Sequence, residues 1–163
     1  MTRNGLQLFE HDYVEEFELN NLESFVFKLD GQNSFELVFE STSPPAKPWI
    51  TLYRIENDKI VSVSKLPSMD VKPRNLDEDN FLEFAGYWNW TEAYGSGYEL
   101  VSYNPLLVYE VTVTGVKIDS VLTMEVNKEI WGNFEGYVFT DKISMDSKAV
   151  KKLKEMIERL KNQ

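Results

Sequence analysis

The sequence predicts an α+β fold: a mostly antiparallel β-sheet, either curved or a sandwich, with a C-terminal amphipathic helix packed on one face. Apolar residues alternate with a period of two in much of the chain, and short turns rather than helices separate the runs. Only the C-terminus carries a helical apolar period. We expect residues 1–163 to form a single domain, with a β-rich body at 1–145 and a helix at 146–162.

The first predicted strands lie in the N-terminal quarter. Apolar residues alternate through residues 24–29 and 35–40, and the Asp30-Gly31 pair between them is a turn signal. These two runs therefore predict a β-hairpin, and residues 13–19 are consistent with a preceding strand.

Proline-rich segments delimit a second hairpin. Residues 43–48 contain three prolines, which donate no hydrogen bond to a sheet, and predict a loop. The runs 49–56 and 60–66 then form a hairpin around the Asn-Asp pair at 57–58. Two further prolines predict another break at residues 67–73.

The later strands are rich in β-branched residues. Residues 106–114 and 116–126 are predicted as strands on either side of a glycine, and residues 131–140 as a strand after a turn at 127–128.

The C-terminal helix is indicated by one apolar stripe and by its ends. Asp146 or Ser147 can cap its start, and Arg159 and Lys161 suit the negative end of the helix dipole. The stripe consists of Val150, Leu153, Ile157 and Leu160.

The net charge of -10 limits the partners. A phosphate backbone or an anionic membrane surface requires a positive face, so we expect no nucleic acid and no membrane as partner. Residues 1–20 lack the basic start and apolar stretch of a signal peptide, which predicts a cytoplasmic protein; the alternative is a mature secreted form whose signal peptide has been removed. Residues 146–163 carry a net charge of +3 and residues 1–145 a net charge of -13. Such an acidic body either maintains solubility or serves a basic partner.

Catalytic and metal-binding residue types are scarce. The chain has no cysteine and one histidine, His11, which excludes thiolate sites and two-histidine metal motifs. His11 lies between two acids and is expected to be a solvated surface residue. Because the usual general base is nearly absent, we favour a non-enzymatic role with no cofactor and no metal site.

An aromatic segment provides the first candidate site. Residues 81–98 hold seven aromatic residues, and glycines make part of this stretch loop-like. Trp88, Trp90, Tyr94 and Tyr98 are candidates for partner binding, because exposed Trp and Tyr give large contact areas with a polar group. The competing interpretation places Trp88 and Trp90 on one strand face, both filling the core.

Acidic residues provide further candidates. Asp77, Glu78 and Asp79 lie in an acidic stretch predicted as a loop or helical turn, and we expect them to face a basic partner. An EF-hand loop that starts at Asp77 would require glycine and an acid where Leu82 and Trp88 stand, so that interpretation fails.

Glu92 and Glu99 flank the aromatic loop. They are the only candidates for paired carboxylates in glycoside hydrolysis. Two solvated surface acids are the simpler interpretation of this pair.

Together these features predict a protein-binding module with an acidic, aromatic surface that engages a basic protein partner. An immunity-type inhibitor of a cationic toxin or nuclease fits this profile. The alternative is a carbohydrate- or small-ligand-binding β-domain that uses the same aromatic residues as a platform.

Overall fold

The computed structural model describes residues 2–3, 6–7, 24–29 and 33–163. His11, the predicted strand at 13–19 and the Asp30-Gly31 turn lie outside these residues. No helix in the described part of the chain is both long and apolar enough to cross a membrane. The elements in order are β1 (Thr2–Arg3), β2 (Leu6–Gln7), β3 (Ser24–Lys28), β4 (Ser34–Ser41), β5 (Trp49–Glu56), β6 (Lys59–Pro67), β7 (Val71–Arg74), β8 (Leu82–Gly86), β9 (Ala93–Tyr94), β10 (Leu100–Tyr103), β11 (Leu107–Thr112), β12 (Gly115–Ile118), α1 (Ser120–Trp131), β13 (Thr140–Asp146) and α2 (Ala149–Lys161).

The strands form antiparallel sheets, which confirms the α+β class. Sheet 1 has the strand order β3-β4-β5-β6, sheet 2 the order β12-β11-β8-β7, and sheet 3 the order β13-β10-β9. The short strands β1 and β2 pair with each other. All described strand pairs are antiparallel.

Both predicted hairpins lie in sheet 1. Strand β3 pairs with β4, and β5 pairs with β6. Between β5 and β6, Asn57 and Asp58 have φ values of 50° and 63°. Two successive residues with positive φ are typical of the tight turn that matches the twist of a hairpin, and Asn and Asp tolerate this conformation.

Sheets 1 and 2 pack face to face. Val38, Ile50 and Leu52 of sheet 1 share a buried cluster with residues of sheet 2. Within this cluster, the rings of Phe84 and Tyr109 stack with centroids 5.2 Å apart. Burial of these apolar side chains supplies the main favourable term for joining the two sheets.

The other face of sheet 2 carries the helices. Val71, Ala85 and Val108 belong to a second buried cluster to which both helices and sheet 3 contribute. The predicted C-terminal helix on one sheet face is thus confirmed, although α2 begins at Ala149 rather than at 146. Lys148 occupies the N-cap without a side-chain hydrogen bond, so neither predicted residue is the N-cap, although Asp146 Oδ1 accepts from Lys148 N–H at 2.8 Å. Arg159 and Lys161 lie in the last turn, as predicted.

The predicted strand at 116–126 is wrong beyond β12. Asp119 accepts hydrogen bonds at Oδ1 from the N–H groups of Val121 and Leu122, both at 2.9 Å, and starts α1. Side chains four residues apart, Val126 and Ile130, then face the core. The β-branched composition favoured a strand, but the cap and the buried helical face determine the structure.

The turn predicted at 127–128 and the strand predicted at 131–140 are also wrong. The turn predicted at 127–128 lies inside α1, where the Asn127 amide is buried against the start of β11 and accepts from Leu106 N–H at 2.9 Å. The strand predicted at 131–140 is wrong, because α1 extends through Trp131 with Gly132 as its C-cap, and the next strand, β13, begins only at Thr140.

The break predicted at 67–73 is shorter than expected. Strand β6 extends through Pro67, and β7 contains Pro73. Because β7 is the edge strand of sheet 2, the missing N–H of Pro73 removes no hydrogen bond from a central ladder.

Candidate functional site

The aromatic segment, residues 87–98, follows strand β8. A Cβ atom at Gly86 would lie 1.7 Å from the carbonyl oxygen of Ser68, so β8 ends where only glycine fits. Residues 87–92 form neither strand nor helix. Trp88 packs against the cluster between sheets 1 and 2, whereas Trp90 is 53% exposed. The interpretation that both tryptophans fill the core from one strand face is therefore wrong.

Trp90 is exposed but held in place. Its indole Nε1–H donates to the carbonyl oxygen of Pro45 at 3.1 Å. The ammonium group of Lys47 lies 4.1 Å from the centroid of the Tyr87 ring and 5.6 Å from that of Trp90. The loop before β5 thus supports the base of the aromatic segment through a hydrogen bond and cation–π contacts.

Lys47 is a buried cation that the sequence did not reveal. Its side chain is 1% exposed, and its Nζ lies 2.6 Å from Asp70 Oδ2 and donates to Ser68 Oγ. Burial lowers the pKa of Lys47, and the charge of Asp70 opposes this effect. Asp70 also accepts from Tyr87 N–H at 3.3 Å, so the pair reaches the first residue of the aromatic segment. A lysine among prolines in a loop gives no sequence signal of burial.

The far end of the aromatic segment is also ordered by hydrogen bonds. Tyr94 lies in β9 and donates its hydroxyl to Ser144 Oγ at 2.7 Å on β13. Tyr98 has a φ of 56°, and its N–H donates to the Gly95 carbonyl at 3.3 Å. Its side chain is 71% exposed, the largest fraction among the aromatic side chains of this segment. The tyrosines are thus presented to solvent by a defined turn.

The two acids that flank the aromatic loop, Glu92 and Glu99, have different surroundings. Glu99 Oε2 accepts from Gly97 N–H at 2.8 Å, and its carboxylate lies so close to Gly95 that a Cβ there would approach Oε1 to 2.7 Å. Glu99 therefore stabilises its own loop. Glu92 is an exposed residue of the same segment.

The acidic loop, residues 75–81, precedes β8. Asp77 Oδ1 accepts from Asp79 N–H at 3.3 Å, and Asp79 Oδ1 accepts from Phe81 N–H at 2.6 Å. These bonds are the side-chain turns that aspartate favours. Glu78 is exposed, with a φ of 65°.

Glu83, on strand β8, meets the acidic loop. One oxygen each from Asp77, Asp79 and Glu83 lies within 4.8 Å of the other two. Glu83 is 1% exposed, and its Oε2 accepts from Leu76 N–H at 2.6 Å. No donor in the described part of the chain reaches Glu83 Oε1. Burial, with the charges of Asp77 and Asp79, raises the pKa of Glu83 to about 7.

The sequence pattern does not predict Glu83 as a site residue, because Glu83 lies in a strand rather than in the acidic run. Alternation along β8 places it on the helix-facing side of sheet 2, with Ala85. A charged residue at an inward strand position is the signal that could have identified it.

The two groups of predicted site residues are attached to opposite ends of β8. Asp77, Glu78 and Asp79 precede Leu82, and the aromatic segment follows Gly86. The intervening strand of five residues is roughly 16 Å long. The structure therefore brings Asp77 and Asp79 together with Glu83, and Trp90 together with Lys47, and attaches the two groups at separate places.

Charge and aromatic character coincide along this part of the chain. Residues 75–99 contain six acidic residues, seven aromatic residues and no basic residue. The two surface features of residues 75–99 are the exposed aromatic segment and the acidic loop that meets the buried carboxylate of Glu83.

No protein-family model, no curated protein and no solved structure matches this chain.

Proposed function

We propose that this chain is a non-enzymatic protein-binding module that engages a basic protein partner through the aromatic segment. The observation that carries the proposal is that Trp90, Tyr94 and Tyr98 are exposed while hydrogen bonds of their side chains or backbone hold them in place. Aromatic side chains of this kind are enriched among the residues that dominate binding energy.

Order in the free protein favours binding. Immobilising a flexible side chain costs roughly 0.5–1.5 kcal/mol on association. The indole of Trp90 is already bonded to Pro45, and the hydroxyl of Tyr94 to Ser144. Glu99 fixes the turn that carries Tyr98. The segment therefore requires less ordering than a mobile loop would.

The charge of the chain supports a basic partner. Residues 1–145 carry a net charge of -13, and residues 75–99 have no basic side chain. Such a field accelerates the approach of a cationic protein. An immunity-type inhibitor of a cationic toxin or nuclease would act in this way, because an acidic surface can cover the face that otherwise binds phosphate.

The test is affinity capture from a lysate of the source organism at ~50 mM and ~500 mM salt, a range over which charge screening changes strongly. Wild type, Trp90→Ala and Tyr98→Ala serve as baits. Tyr137→Ala is the matched control, because Tyr137 is an exposed aromatic residue outside the segment. The captured protein is then purified, and its affinity for each bait is measured by calorimetry.

We expect one basic protein that binds wild type and Tyr137→Ala equally and binds Trp90→Ala and Tyr98→Ala at least tenfold more weakly. Equal affinity for all four baits would overturn the proposal. If no protein is retained and soluble oligosaccharides instead change the tryptophan fluorescence of wild type but not of Trp90→Ala, the carbohydrate-binding alternative replaces it.

A further inference from the structure

We propose that Asp77, Asp79 and Glu83 form a binding site for a calcium ion at the start of strand β8. The site combines two residues of the acidic loop with one residue of the sheet. It involves neither the aromatic segment nor a protein partner, so it goes beyond the function proposed above.

The first observation is the separation of the oxygens. One carboxylate oxygen from each of the three residues lies within 4.8 Å of the others. Calcium takes oxygen ligands at 2.3–2.6 Å, so two ligands on opposite sides of the ion are roughly 4.6–5.2 Å apart. The corresponding separation for magnesium is about 4.2 Å. The three oxygens therefore lie close enough together to share one calcium ion, whose flexible geometry tolerates irregular ligand positions better than the strict octahedron of magnesium.

The second, independent observation is the state of Glu83. This residue is 1% exposed, and one of its oxygens, Oε1, has no hydrogen-bond donor among residues 24–29 and 33–163. A buried carboxylate oxygen without a partner is costly. A cation held between the acidic loop and β8 would balance the charge of this buried carboxylate.

Within the described ranges, no lysine or arginine forms an ion pair with Asp77, Asp79 or Glu83. Arg74 stands opposite Glu83 on β7, but its Nη1 donates to the carbonyl oxygen of Lys161. The three carboxylates thus meet without an ion-pair partner from the residues that the structure describes.

The loop bonds leave ligand atoms available. The bonds to Asp79 N–H and Phe81 N–H each use Oδ1 of the preceding aspartate. The second oxygen of Asp77 and of Asp79 can therefore coordinate. Three carboxylates provide only part of the six to eight ligands of calcium, and water would complete the shell. We therefore expect a dissociation constant in the range of about 10⁻⁴–10⁻³ M.

The experiment uses the full chain treated with a chelator and titrated with CaCl₂ to ~10 mM, about ten times the weakest expected dissociation constant. Calorimetry gives the affinity, and the midpoint of thermal unfolding gives a second readout. A KCl series of matched ionic strength measures the screening of the net charge of -10. Glu83→Gln and Asp79→Asn test the site, and Glu78→Gln, an exposed acid of the same loop, is the matched control.

We expect saturable binding and a rise in the unfolding midpoint for wild type and Glu78→Gln. Calcium affinity should fall at least tenfold in Glu83→Gln and in Asp79→Asn. Glu83→Gln removes a buried charge while preserving side-chain size, so loss of binding can be separated from loss of folding by its unfolding curve. An unsaturable shift that KCl reproduces, or equal affinity in all four proteins, would overturn the proposal. An equal response to MgCl₂ would overturn the assignment to calcium.

Discussion

Lys47 and Asp70 form a largely buried ion pair, with Nζ and Oδ2 2.6 Å apart and the lysine side chain only 1% exposed. The pair joins the loop before β5 to the turn between β6 and β7. Asp70 also accepts from Tyr87 N–H, and the Lys47 ammonium lies over the Tyr87 ring. The position of the aromatic segment therefore depends on a charge pair outside it.

Removing the negative member of this pair should be costly. In Asp70→Asn the amide oxygen can still accept from Tyr87 N–H, but buried Lys47 loses its paired counter-charge and retains only the weaker effect of Glu40. We expect the free energy of unfolding at pH 7 to fall by about 3 kcal/mol, as measured by urea denaturation. Lys47→Met should cost less, because Asp70 is 20% exposed and can be hydrated.

The pH dependence of the stability of Asp70→Asn tests whether the buried charge of Lys47 causes this loss. Burial lowers the pKa of Lys47 in the folded state, and the variant loses the opposing charge of Asp70. Between the lowered folded pKa and the unfolded value near 10.4, the unfolded state binds more protons, so stability rises with pH. The variant should therefore regain stability relative to wild type as the pH rises towards the unfolded value. A constant difference over this range would contradict the buried-charge explanation.

A second prediction concerns the contact between sheets 1 and 2 at Gly115. Glu36 of β4 is 4% exposed and accepts from Val116 N–H at 2.8 Å on β12. A Cβ atom at Gly115 would lie 2.7 Å from Glu36 Oε1, and Gly115 has a φ of 126°. Gly115→Ala should therefore destabilise the protein through both backbone strain and displacement of a buried carboxylate.

Gly136→Ala is the matched control for this substitution. Gly136 has a similar φ of 110°, but its Cβ would meet nothing within 4 Å. Backbone strain alone should cost about 1–2 kcal/mol in this control, and we expect Gly115→Ala to lose at least about 1 kcal/mol more in urea denaturation. Equal losses would show that the carboxylate of Glu36 moves aside freely.

The features that the sequence predicted are those decided by local chemistry. The Asn57-Asp58 turn and the apolar alternation around it suffice for the β5–β6 hairpin, because turn type and strand period are local properties. The α2 stripe is equally local. Helix α1 was missed because its β-branched residues favour a strand, and only the Asp119 cap and burial against sheet 2 reverse that preference.

The candidate site is only partly predictable, because some of its residues are determined by tertiary contacts rather than by local sequence. The exposed aromatic residues and acids are visible as composition. Lys47 and Glu83 are decided by tertiary contacts, since each is a charged residue buried by elements distant in the chain. Burial of a charge contradicts the ordinary expectation for its residue type, so a single sequence does not reveal it.

A third prediction separates the aromatic and charge contributions to partner binding. Trp90→Ala should weaken binding at least tenfold at every salt concentration, because it removes a large exposed contact surface. Glu78→Ala should weaken binding about twofold, and only at low salt, because an exposed charge acts through a screened field. Calorimetric titrations with the captured partner at several salt concentrations measure both effects. If the two substitutions alter the salt dependence equally, the division of roles is wrong.

The last prediction follows from the charges around Glu83. Burial is the largest cause that raises its pKa from the ordinary glutamate value to about 7 in the folded state. Between these values the folded state binds more protons than the unfolded state, so the free energy of unfolding should fall as the pH rises from about 5 to 8. The charged groups that face it from the loop, the neighbouring strands and the start of α1 are Arg74, Asp77, Asp79, Glu110 and Asp119.

With a chelator present, ionisation of Glu83 should lower the free energy of unfolding by up to about 3 kcal/mol at pH 8. Urea denaturation of wild type and Glu83→Gln across this pH range measures it. The glutamine variant cannot ionise at this position, so its stability should exceed that of wild type increasingly as the pH rises. Glu78→Gln, which changes an exposed acid of the same loop, should instead follow the wild-type profile. Parallel profiles for wild type and Glu83→Gln would mean that Glu83 is already ionised at pH 5 and that solvent reaches it in the folded state.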